Sequence, residues 1–175
     1  MIRRRSFAIL AILAACSPKS PPADGPRFNT DLPMTELMGH VVDPAAFAYW
    51  KGSGTVVTAR GARDLSPTTA EGWEALESAA AALIEAGNVL QLPGRPRDPA
   101  TDWNRFAQDL SRTAIAAKAA AERHDKQAVF DQGAKLYQIC TACHAQYVIG
   151  PQLKAHGPAE GTPLPPWPRD LSVAK

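Results

Sequence analysis

The sequence predicts an all-α fold, an antiparallel four-helix bundle, and three observations carry that prediction. Apolar residues recur at three- and four-residue spacing through four separate stretches. Alanine, the strongest helix former, makes up much of the 45% hydrophobic content, while aromatics contribute only 7%. The joints between stretches are mostly short, so consecutive helices must turn back on one another. A core of such small residues either brings backbones close or is filled by something other than side chains. At 175 residues the chain has room for one domain and too little for two comfortable ones.

The first fifteen residues are read as a leader and not as part of the fold. Arg3, Arg4 and Arg5 form a basic start, and Phe7 to Ala15 an apolar run of nine residues. A bilayer needs roughly 20, so the run fits a secretory signal. It ends Leu13-Ala14-Ala15-Cys16, which resembles the lipobox of bacterial lipoproteins. That resemblance implies cleavage before Cys16, lipid on Cys16 and a membrane anchor facing the periplasm. By the same resemblance, Ser17 after the cysteine implies the outer rather than the inner membrane. Residues 16–30, rich in proline and serine, read as a tether. Without the three leader arginines, Lys+Arg falls from 19 to 16 against 17 Asp+Glu, a net of −1. The basic character belongs to the leader, and nothing suggests nucleic-acid binding.

The expected domain covers residues 31–149. The first helix is placed from about Leu32 to Lys51, with Asp31 as N-cap, Pro33 in its first turn and a kink or restart at Asp43-Pro44. Residues 52–66, with three glycines, read as loop. The second helix starts near Ser66 or Thr68, where Thr68-x-x-Glu71 forms a candidate capping box. Its apolar face is Trp73, Leu76, Ala80, Leu83, Ile84, Gly87 and Leu90, and Leu92-Pro93-Gly94 stops it. Asp98-Pro99 caps the third helix, whose stripe runs from Trp103 and Phe106 through Leu110 to Ala114, Ala117 and Ala121. A turn at His124-Asp125 leads to the fourth, about Lys126 to Val148, with Phe130, Gly133, Tyr137, Cys140, His144 and Tyr147 as inward candidates. Gly150-Pro151 ends it, and residues 150–175 read as an irregular proline-rich tail. In this arrangement the bulky start of helix three lies level with the cysteines.

Cys140-Thr141-Ala142-Cys143-His144 is the strongest chemical signal. A spacing of three puts both sulfurs on one helical face, suited to the two vinyl groups of one porphyrin, and His144 can reach the iron of that same group. The pattern reads as attachment of one covalent haem c. A thioredoxin-like pair usually sits where a strand turns into a helix, and a zinc site needs a fourth ligand and usually a second close pair. With Cys16 assigned to lipid, no thiol is left for a disulfide.

Cys140-x-x-Cys143-His144-x-x-Tyr147 on the last helix resembles the class II c-type cytochromes, the cytochrome c′ family, over roughly residues 31–148. The family often carries a basic residue after that tyrosine, where this chain has Val148. The resemblance implies a haem-bearing four-helix bundle, often paired as a homodimer, with either an open distal side or a distal methionine from the first helix. The mature chain has two methionines, Met34 and Met38, four apart on one face with Leu37 and Val41, while His40 points elsewhere. Matching the level of His144 across antiparallel helices favours Met38, with Met34 one turn (about 5.4 Å) away as the alternative. Core filling by both methionines is the competing reading.

The expected function is one-electron transfer by a lipid-anchored electron carrier, not an enzyme, outside the cytoplasm and toward redox partner proteins that the sequence does not name. The alternatives are a five-coordinate haem module binding small gases such as NO or CO, and a haem-free structural lipoprotein.

Overall fold

A computed structural model describes residues 27–157. The leader, Cys16, the tether to residue 26 and the tail from residue 158 lie outside the described residues. What is described is mostly helical, with one small two-stranded sheet. No helix among the described residues is long and apolar enough to cross a membrane.

The first helical run is composite: α1 (Met34–Leu37), a π-helical turn (Met38–Val42) and α2 (Asp43–Lys51) follow without a break. Pro33, not Asp31, holds the capping position, and its carbonyl accepts from the Leu37 N–H at 2.9 Å. The kink expected at Asp43-Pro44 is absorbed by the π turn, where the Asp43 N–H donates to the Met38 carbonyl five residues back. Proline has no N–H to donate, and its ring crowds the carbonyl four residues back, so a widened turn accommodates it. The extra residue also shifts the phase. Val42, 5% exposed, takes the inward place expected of Val41, which is 41% exposed.

The expected loop contains a hairpin, β1 (Thr55–Thr58) and β2 (Gly61–Asp64), paired antiparallel with Thr55 opposite Asp64. Thr-Val-Val-Thr has high β-propensity, and Gly61 takes the positive φ (120°) that the tight turn requires. Every hairpin residue is exposed. An ion pair of 2.7 Å between Asp64 and Lys126 ties the hairpin to the start of the last long helix.

Helix α3 (Ala70–Val89) starts one residue later than the capping box implied: Thr69 is the cap, its Oγ1 accepting from the Gly72 N–H at 3.2 Å. Helix α4 (Ala100–Glu122) starts behind Pro99, without a side-chain cap from Asp98. The Pro99 carbonyl takes the Asp102 and Trp103 N–H groups. Helix α5 (Lys126–His144) is capped by Asp125, whose carboxylate accepts from the Ala128 N–H at 3.0 Å. A second π turn (Ala145–Ile149) and α6 (Gly150–His156) continue it. The helix thus passes through Gly150-Pro151, where it was expected to stop, and the first residues of the expected irregular tail are helical. As at Pro44, the proline follows a π turn, here closed by the Gly150 N–H on the Ala145 carbonyl.

One core unites these helices. Much of it is alanine: Ala79, Ala80 and Ala86 of α3 and Ala114, Ala117 and Ala121 of α4 are all buried, with Trp73, Leu76 and Leu83 supplying bulk. Helices α3 and α4 approach so closely at Gly87 that a Cβ there would collide with the Ser111 hydroxyl and the Ala107 carbonyl. Small residues therefore do bring the backbones of α3 and α4 close. On α5 the buried stripe is Val129, Gly133 and Leu136: Gly133 is inward as expected, while Val129 and Leu136 take the places expected of Phe130 and Tyr137. Phe130 and Tyr137 are 50% and 59% exposed.

Candidate functional site

The C-terminal end of α5 meets the composite first run and the start of α4. Cys140 and Cys143 are free thiols there, each partly buried, and His144 closes α5 immediately before the π turn. Two adjoining clefts open at this level. The larger, of about 630 Å³, is lined by Met34, Met38, Trp103, Cys143, His144 and Tyr147 among others. The smaller, of about 270 Å³, includes Met38, Val42, Phe47, Cys140, Cys143 and His144. Met38, Asp43, Cys143 and His144 line both. Both methionines therefore face the larger cleft, but only Met38 also reaches the one holding Cys140.

The frame around the motif is tied to neighbouring elements by directed bonds. The Tyr147 hydroxyl donates to the Pro99 carbonyl at 2.8 Å, and its ring meets Trp103 edge-on at 5.0 Å between centroids. Trp103 in turn donates its indole N–H to the Leu90 carbonyl at 2.7 Å, satisfying a carbonyl left over at the end of α3. Gln146 reaches the Asp102 carboxylate at 3.2 Å. The aromatic start of α4 thus lies level with Cys143 and His144, as the antiparallel reading required. On the other side, the Trp50 indole donates to the Gly133 carbonyl at 2.9 Å and fixes α2 against α5. Phe47 and Tyr137 each pack edge-on to Trp50 at 5.6 and 5.8 Å, which is where the outward-turned Tyr137 finds its contact.

Electrostatics separate the chemical uses of the two thiols. Burial pushes the Cys140 thiol up to about 11, with the Cys143 and Asp43 charges adding to it, and burial also raises Cys143. A redox-active or metal-binding pair works as thiolate and is held low by positive charge. Burial dominates here and no positive charge acts on either thiol, the opposite of the environment of a redox-active pair. No group of three or more His, Cys, Asp or Glu side chains converges among the described residues, so a tetrahedral zinc shell has no donor set. The two clefts together offer mostly apolar walls, one imidazole, the Met38 thioether and two thiols.

Two charged residues at the site escaped the sequence reading. Arg97, on the connector between α3 and α4, lines the larger cleft, as does Val148. Asp43 lines both clefts. Neither has a periodicity or motif signal, because each arrives from an element far away in sequence. His40 stays off the face, as expected, paired with Glu36 at 3.1 Å. Cys16 lies outside the described residues.

No family model, no curated protein and no solved structure matches this chain.

Proposed function

We propose that the chain is a lipid-anchored c-type cytochrome of class II type, an antiparallel four-helix bundle with one haem c on its last long helix. Cys140 and Cys143 would hold the haem through thioether links, and His144 and Met38 would supply its iron ligands. Its task is one-electron transfer to and from protein partners on the outer side of the cytoplasmic membrane, with Cys16 as the lipidated residue. The observation that carries this reading is the convergence of Met38, Cys143 and His144 on both adjoining clefts.

The residues present fit the group. Each thioether needs one S–H to add across one vinyl C=C, and the two sulfurs three residues apart lie along one helical face. The clefts are walled by Met34, Trp103, Tyr147 and Val42, apolar surface for a flat, mostly apolar ring. Haem held here supplies a one-electron couple at its iron. His144 and Met38 keep the coordination unchanged between the two oxidation states, and a methionine ligand raises the potential relative to purely nitrogen ligation. Trp103 and Tyr147, locked by their own hydrogen bonds, hold the cleft wall rigid and dry.

The size of the larger cleft supports a second reading. If neither Met34 nor Met38 ligates, the same space is an open distal pocket for a small gas. The optical spectrum of the oxidised protein decides. A methionine–histidine iron is low-spin with a weak band at the red edge, and its reduced form resists carbon monoxide. A high-spin spectrum with carbon monoxide binding supports the gas module and overturns electron transfer as the leading reading.

A further inference from the structure

Besides the proposed haem ligands, Asp43 lies on the walls of both clefts. In a regular α-helix, residues five apart point about 140° away from one another. The π turn cancels that divergence: with the Asp43 N–H on the Met38 carbonyl, the two residues stack and both line both clefts. Proline at 44 accompanies this widened turn. The device thus delivers a carboxylate to the wall between the clefts, beside the thioether side chain. Among the described residues no lysine, arginine or histidine pairs with Asp43. The only cation on the same walls is Arg97, and it lines the larger cleft alone. The Asp43 charge is also felt at Cys140, where it helps to hold the thiol neutral.

We propose that Asp43 sets the reduction potential of the bound haem, its unpaired carboxylate on the shared wall stabilising the oxidised state. The inference rests on the haem reading above. Ferric haem carries one more positive charge than ferrous haem, so a fixed negative charge beside it favours the ferric form. Apolar cleft walls on either side preserve the interaction, while the solvent-exposed position of Asp43 moderates it. Asp43 acts through the field and touches no electron itself; it is a positioning residue of charge.

The test is a spectroelectrochemical titration of the haem-loaded protein. Asp43→Asn removes the charge and keeps the shape; Asp43→Ser removes it with a second geometry and covers the case in which asparagine fails to fold. Asp43→Glu keeps the charge. Glu36→Gln, on the same helical run but exposed and paired with His40, removes one equal charge away from the clefts. The midpoint should rise in D43N and D43S, stay near wild type in D43E, and stay unchanged in E36Q. Midpoints of D43N and D43S equal to that of E36Q overturn the proposal, as does a D43E midpoint that moves with D43N. A wild-type protein without covalent haem overturns the functional reading instead, and a denaturing gel shows this before any potential is measured.

Discussion

Met38→Ala separates ligation from packing, because Met34 offers a matched control one turn away. Both side chains are partly buried and pack against the same core. Full burial would make each truncation cost ~2–5 kcal/mol, so partial burial places both near 1–2 kcal/mol. At roughly 3–5 °C per kcal/mol for a domain of this size, both variants should melt a few degrees lower, by similar amounts. Their spectra should differ. Met38 lines both clefts and Met34 only the larger, so M38A should turn the iron from low-spin to high-spin and open the reduced protein to carbon monoxide. M34A should keep the wild-type spectrum. The assay is an oxidised-state absorption spectrum beside a thermal melt. A spin change in M34A and not in M38A would move the ligand by one helical turn and refute the reasoning from shared cleft walls.

Gly87→Ala gains up to ~1 kcal/mol of helix propensity but meets the Ala107 carbonyl and Ser111, and overpacking costs ~1–3 kcal/mol. Because one obstacle is backbone, the net should be a loss of about 1–2 kcal/mol in urea unfolding; equal or higher stability would contradict the close approach of α3 and α4. Arg97→Gln should lower the midpoint potential, opposite in sign to D43N: at ~10 Å and an effective ε of about 40–80 one charge is worth ~0.4–0.8 kcal/mol, or roughly 20–35 mV. The Lys126 hydrogen bond, with help from Ser66, holds the Asp64 carboxyl well below the usual carboxylate range. A depressed pKa favours the folded hairpin at pH values above the ordinary aspartate range, and that support is lost as pH falls through the folded value. Carboxyl NMR should show Asp64 titrating low in wild type and higher in Lys126→Met, though still below the ordinary value because the Ser66 hydrogen bond remains.

Much of the helical layout was legible because long amphipathic stretches declare themselves. Trp73, Leu76, Ala80 and Leu83 of α3, and Trp103, Leu110 and Ala114 of α4, are buried as their spacing predicts. The turn at His124 and the cap at Asp125 were equally plain. What escaped has physical causes. A π turn inserts one residue into a 3.6-residue period, so Val42 replaced Val41, and two prolines that normally stop a helix were accommodated. By bulk Phe130 and Tyr137 read as core, whereas the smaller Val129, Gly133 and Leu136 allow α5 to lie close to its neighbours. The hairpin buries nothing, so it leaves no hydrophobic alternation to read. Arg97 and Asp43 become site residues only through tertiary packing. The cysteine–histidine motif, by contrast, is local: three residues near the end of one helix carry the proposed haem attachment, and the sequence alone displays them.

The most direct test of the central claim is haem staining of the denatured full-length protein on a gel. Thioether bonds survive denaturation, so the wild type should stain at its own mass, and Cys140→Ala with Cys143→Ala should not stain at all. A wild type that never stains when produced with haem-attachment machinery, or a double variant that still does, would contradict the account.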